Sequence, residues 1–153
     1  FIVIFFRDDF MVDKFSKETR SYIMSRIRGK DTKPEILVRK YLFARGLRFR
    51  KNDKRYPGRP DVVLPKYKTA VFVHGCFWHL HEGCKYAKMP KSNVEYWKEK
   101  LYRNRERDAR NQEELKAMGW TVLTVWECEL KKDKREETLE ILYDRITSQD
   151  NEE

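Results

Sequence analysis

The sequence predicts an α/β domain with a mixed central sheet flanked by helices and a zinc ion fastening one end, on three observations. Three apolar runs, 61–64, 69–73 and 120–126, have the length and β-branched content of strands. A short turn separates the first two, which suits antiparallel pairing. A long helical stretch separates the second from the third, which suits a right-handed crossover and parallel pairing. Finally, all three histidines and two of the three cysteines fall within 74–84, directly after the second run, and Cys128 follows the third.

The elements follow in order. Ser16 and Glu18 open a short helix that carries Tyr22, Ile23, Met24 and Ile27 and ends at Gly29. Thr32-Lys33-Pro34-Glu35 reads as a capping box, with Thr32 bonding the amide of Glu35 and Glu35 reaching back to Thr32. The next helix turns Ile36, Leu37, Tyr41, Leu42 and Phe43 toward a core and stops at Gly46. Tyr56-Pro57-Gly58-Arg59-Pro60 turns the chain into a strand that begins with a carboxylate, Asp61. Residues 93–118 form a long polar helix with Trp97, Leu101 and Leu115 inward, ended by Gly119, and residues 136–146 form a closing helix.

The 153 residues suit one domain, expected over 14–148, with an acidic tail over 149–153. Residues 1–6 are apolar, but Arg7 ends the run and no cleavage pattern follows, so neither a signal peptide nor a membrane span fits. Residues 1–13 are expected to be a poorly ordered leader, the alternative being an extra strand or helix docked on the domain. The net charge of +9 is concentrated in 14–55, where fifteen Lys or Arg face four Asp or Glu. That pattern suggests a phosphate backbone as partner, without separating DNA from RNA. An odd cysteine count with zinc-like spacing argues for a reducing compartment and against disulfides.

Cys76, His81, Cys84 and Cys128 make a Cys3His set suited to tetrahedral zinc. Four protein ligands fill the shell, so such a zinc would be structural; the alternative is three buried thiols and a core histidine. His74 and His79 are left over. Pro60-Asp61 entering a strand, with polar residues at the end of the next, looks like the acidic half of a restriction-type nuclease core. That core normally places an acid, a spacer and a lysine on the second strand, where this chain has Phe72-Val73-His74. Another group must then activate water, and His79 is the natural candidate, because a neutral imidazole accepts a proton near pH 7.

The chain resembles the very-short-patch-repair (Vsr) family of DNA mismatch endonucleases. The resemblance rests on Phe15-Ser16-Lys17, Thr19-Arg20-Ser21, Lys33-Pro34-Glu35, Pro57-Gly58-Arg59-Pro60-Asp61, His74-Gly75-Cys76-Phe77-Trp78-His79, Trp97, Asn104-Arg105-Glu106-Arg107-Asp108, Gly119-Trp120 and Val125-Trp126-Glu127-Cys128. It departs at Leu80, where the family has another histidine, at an inserted Gly83, and at Val73 in place of a threonine.

The resemblance implies a restriction-endonuclease-like mixed central sheet flanked by helices, and magnesium-dependent cutting of one strand beside a T:G mismatch left by deamination of 5-methylcytosine. Asp61 and the main-chain carbonyl of Val73 would hold the magnesium. His79 would orient or deprotonate the attacking water, with Asp108 holding its ring; read without the family, Asp108 is one charge on a solvated helix face. Glu35 would be an outer carboxylate near the metal water as well as a cap, and His74 a contact to phosphate or to that water. Phe77, Trp78 and Trp97 would wedge into the base stack from one groove and Met24 from the other; without the family, Phe77 and Trp97 read as core. The expected partner is double-stranded DNA carrying a T:G mismatch, bound by a monomer in the prokaryotic cytoplasm at the nucleoid, with mismatch-repair proteins as candidate partners and no membrane.

Overall fold

The computed structural model describes residues 16–25 and 31–148. The leader 1–13, the stretch with Ile27 and Gly29, and the tail 149–153 lie outside the described residues. Helix α1 is Lys17–Ser25 and α2 is Lys33–Ala44. Strand β1, Val62–Leu64, passes through a 3-10 turn at Pro65–Tyr67 into β2, Thr69–His74. Helix α3, Val94–Ala117, crosses to β3, Thr121–Trp126; a second 3-10 turn, Glu127–Leu130, leads to α4, Arg135–Thr147.

The sheet has the order β1-β2-β3. β1 and β2 are antiparallel, with Val62 opposite Val71, and β2 and β3 are parallel, from Thr69 opposite Thr121 to His74 opposite Trp126. The crossover through α3 explains the second pairing, because parallel neighbours cannot be joined by a tight turn. Gly119, at φ +86°, breaks α3 so that the chain can enter β3.

All six residues of β2 are buried, as expected for a strand covered on both faces. Val71 and Val73 join Val62, Leu64, Leu123 and Val125 in a core with Val38 and Leu42 of α2 and Leu139, Leu142 and Ile146 of α4. Ala70 and Phe72 point the other way, onto Leu115 of α3. Side chains alternate along a strand, so His74 falls on the α3 side. Inward positions on α3 are Trp97, Leu101 and Leu115, as the periodicity predicts.

Two expectations for α2 need correction. Its buried stripe is Glu35, Val38, Arg39 and Leu42, while Leu37 and Tyr41 are partly buried and Ile36 and Phe43 are exposed. Two of the four buried positions are charged, which turned the apparent apolar face away from the real one. Thr32 makes no side-chain cap. Glu35 reaches back one residue further than a capping box requires, its Oε2 accepting the Asp31 amide at 2.8 Å, because the carboxylate is also drawn inward by Arg39. Among the described residues no helix is long and apolar enough to cross a membrane.

Candidate active site and metal cluster

The parallel register ends β2 and β3 side by side, so the chain segments that leave them start as neighbours. Gly75 permits the close approach: a Cβ there would meet Oε2 of Glu127 at 3.2 Å. The segment after β2 folds back on itself, with the His81 amide donating to the Cys76 carbonyl at 2.9 Å and the Cys84 amide to the His81 carbonyl at 3.2 Å. Glu129 Oε1 accepts the Trp126 amide at 3.0 Å and shapes the turn that presents Cys128. The ligand atoms of Cys76, His81, Cys84 and Cys128 thereby lie within 4.8 Å of one another, a group that can hold a metal ion. Burial pushes the Cys76 and Cys128 thiols up and the His81 imidazole down. A bound cation removes that cost, since it takes thiols as thiolates and imidazole as neutral.

The second constellation lies at the same end of the sheet. Asp61 precedes β1, and its Oδ2 accepts the Val73 amide of β2 at 2.7 Å. Burial, then the neighbouring Glu35 carboxylate, raise Asp61 to about 7. Two acids facing each other in a buried place repel as anions, and a cation between them relieves the repulsion. Arg39 bonds both the Asp61 main-chain carbonyl and the Glu35 carboxylate.

His74 ends β2, and His79 lies in the segment just beyond. Nδ1 of His79 is in a short hydrogen bond with Asp108 Oδ2 from α3. With Nδ1–H donated to the carboxylate, Nε2 is left as a proton acceptor. The rings of His74 and His79 stack with centroids 3.8 Å apart and planes 3° from parallel. Ligand atoms of His74, His79 and Asp108 also lie within 4.8 Å of one another. Two nearly parallel ring planes share no point toward which both lone pairs aim, so the two rings are poorly disposed to chelate one ion. Burial, then the His79 neighbour, lower His74 to about 3 and keep it neutral.

A carboxylate pair, an imidazole held by a carboxylate, and a Cys3His cluster able to hold a metal thus meet where β2 ends. Residues 12–85 match the family model described as DNA mismatch endonuclease Vsr. The DNA mismatch endonuclease Vsr of Escherichia coli strain K12 is 43% identical over 136 residues, 89% of this chain and 86% of that protein. The chain belongs to the Vsr family. Type II nicking enzymes are similar as well. One from Neisseria meningitidis serogroup A is 56% identical over 79% of this chain and 86% of its own length, and one from Xanthomonas oryzae is 48% identical over 78% and 88%. As a Vsr-family protein the chain is an endonuclease that acts on DNA.

The aromatic residues of this Vsr-family chain lie beside the histidines. Phe77 and Trp97 are buried with Leu101, with Trp78, Leu80 and Met89 packed against them. Phe77 meets Trp97 edge-on at 5.4 Å and Trp78 at 5.2 Å. Lys100 places its ammonium 5.4 Å from the Trp78 ring, and Asn104 Nδ2 donates to the Trp78 carbonyl at 3.2 Å. Leu80 adopts φ +47°, an unfavourable conformation for a residue with a Cβ, and its packing in this cluster holds it there. Met24 falls in α1, and its side chain lies outside the described residues.

Sequence reasoning missed Arg39 and Trp126. Trp126 stacks on His81 at 4.0 Å and meets His74 edge-on at 5.2 Å, so one indole touches both the Cys3His group and the histidine pair. A sign of Arg39 was available: a charged residue one turn after Glu35, on the stripe marked by Val38 and Leu42.

Proposed function

We propose that this Vsr-family endonuclease hydrolyses one strand of duplex DNA next to a T:G mismatch arising from 5-methylcytosine deamination, and so initiates very short patch repair. The observation that carries the reading is the convergence, at the end of β2, of the buried acid Asp61 with Glu35 and of His79 with Asp108. The proposal extends to a restriction-endonuclease-like fold, a single endonuclease domain over 14–148, and a monomer working at the nucleoid in a prokaryotic cytoplasm.

The residues fit two kinds of metal. Three soft sulfurs and one imidazole in Cys76, Cys84, Cys128 and His81 fit one structural zinc. The hard oxygens of Asp61 and the Val73 carbonyl fit magnesium. Magnesium supplies neutralisation of the charge on the transferring phosphoryl group and a more acidic attacking water. Asp108 fixes the tautomer of His79, whose Nε2 accepts the proton from that water. Glu35 accepts a hydrogen bond from the same water and limits its directions of approach. His74, held neutral, donates a hydrogen bond to the scissile phosphate.

For mismatch selection, Trp78, Phe77 and Trp97 enter the stack from one groove and Met24 from the other. A mispaired step opens at lower cost than a paired one, which makes stacking the basis of selection. Phe77 and Trp97 are buried in the free protein, so their entry requires the cluster to open on DNA. That burial, with the similarity to nicking enzymes, favours a second reading: a nick in matched DNA made without a wedge. Purified protein incubated with magnesium and end-labelled duplexes, matched or carrying one T:G pair, separates the two. One strand cut in the T:G duplex alone is expected; equal cutting of both selects the second reading, and no cutting of either removes the enzyme assignment.

A further inference from the structure

Arg39 is only 7% exposed. A guanidinium so far from water is stable only where its donors find acceptors. Nε and Nη2 both donate to the main-chain carbonyl of Asp61, at 3.2 and 3.1 Å. Nη2 also reaches Glu35 Oε2 at 3.2 Å, and Nη1 donates to Asp31 Oδ1 at 2.8 Å. One side chain therefore spans the entry to β1, the first turn of α2 and Asp31, two residues before that helix. Lysine carries the same charge on one nitrogen and lacks the planar fork that this requires.

These bonds remove the freedoms by which the two acids could separate. Asp61 is held at its carbonyl by Arg39 and at its carboxylate by the Val73 amide. Glu35 is held by Arg39 and by the Asp31 amide. Lys51, 3.5 Å from Asp31, adds a second positive charge. Once a bound cation has displaced the Asp61 proton, two cations face three carboxylates, Asp31, Glu35 and Asp61.

We propose that Arg39 is a positioning residue, which sets Asp61 and Glu35 at the separation where they serve one divalent cation. This rests on the magnesium-assisted reading above. Arg39 acts through the two acidic residues it holds.

The test is Arg39→Lys, which keeps the charge and removes the fork. Three quantities are measured: the half-saturating magnesium concentration for single-turnover nicking of the T:G duplex; Mn2+ bound, by electron paramagnetic resonance, to the complex with a non-cleavable duplex; and duplex affinity without divalent ions. The first should rise and the Mn2+ affinity should fall by roughly tenfold or more, the range for losing a group that orients a metal ligand, while duplex affinity stays within about twofold. Unchanged magnesium and Mn2+ dependence would overturn the proposal. Should Arg39→Lys fail to fold, Asp31→Gly serves instead. It removes the acceptor of Nη1, one anchor of the fork, at a residue with φ +55°, where glycine is unstrained, and a smaller shift in the same direction is expected. No shift there would overturn the proposal equally. The control is Asp61→Asn. If it loses Mn2+ while the Arg39 variant does not, Arg39 alone is misassigned. If it binds Mn2+ like the wild type, the magnesium reading fails and the Arg39 proposal falls with it.

Discussion

The imidazole of His74 lies face to face on that of His79, with ring centroids 3.8 Å apart. One member of this pair is held neutral by burial and, among the described residues, bonds to no carboxylate; the other is bonded to Asp108. A proton accepted by His79 therefore has no second imidazole to move to, and the Asp108 carboxylate stabilises it where it is. On the proposed reading the arrangement separates one proton acceptor, His79, from a nearby neutral donor, His74.

His79→Ala should lower the single-turnover nicking rate by roughly 10²-fold or more, the scale for losing positioned proton transfer, with affinity for T:G duplex nearly unchanged. Asp108→Asn should fall in the same pathway, so that the double variant is little worse than His79→Ala. Stopped-flow or quench measurements across pH check this. The rising limb of the wild-type pH–rate profile should be absent from His79→Ala, and a limb that persists there would remove His79 as the base.

Stability of the magnesium-free protein should carry two opposed pH dependences. Asp61 is raised from its usual 3.8 to about 7, so between those values the folded chain holds a proton that the unfolded chain has lost, and stability falls as pH rises. His74 is lowered from 6.5 to about 3, so between those values the unfolded chain holds the extra proton, and stability falls as pH drops. The two slopes, each at most about 1.4 kcal/mol per pH unit, cancel over their common range. Thermal melts should unmask them: relative to wild type, Asp61→Asn gains stability progressively from pH 4 to about 7, and His74→Asn gains it as pH falls below 6.5. Variant curves that run parallel to wild type would show that neither group titrates as described.

Elemental analysis should return one zinc per chain, and Cys128→Ala should lose it together with thermal stability, because structural zinc affinity is itself folding free energy. A variant that keeps both would show that Cys128 is not a ligand.

Trp78→Ala should lower preference for T:G over T:A duplex while leaving the metal dependence of nicking unchanged. Phe77→Ala differs, since the ring is 4% exposed and packed on Trp97: its removal should cost about 3–5 kcal/mol of stability whatever it does on DNA. Denaturant unfolding beside a binding assay separates the two effects. If Trp78→Ala binds both duplexes with the wild-type ratio, stacking by this ring does not select the mismatch.

The Cys3His grouping was legible because three of its members fall within nine residues, and sheet order was legible because connection lengths dictate pairing. Asp108 was not, from residues alone, since Arg105, Glu106, Arg107 and Arg110 surround it as ordinary helix surface. The missing signal was registration: Asn104 and Asp108 continue the stripe of Trp97 and Leu101, so polar groups stood on an otherwise apolar face. On α2, Glu35 and Arg39 hid in the same way between Val38 and Leu42 and diverted the expected core toward Ile36 and Phe43. Periodicity reads hydrophobicity, so polar residues buried for function subtract from the pattern that would reveal them.

Helix α3 carries Trp97 in its first turn and Asp108 eleven residues on, without interruption. At 1.5 Å per residue the two are about 16 Å apart along the axis. On the proposed reading this helix is a ruler, whose marks are the aromatic ring that senses a weak step and the carboxylate that holds the base at the backbone. One inserted residue between the marks would swing the far one by about 100° and carry Asp108 off the face that meets His79. Lengthening the loop between the metal cluster and α3 would leave the spacing untouched. Evolution of this chain is therefore free to vary the approach to α3 but not the count of residues between its two marks.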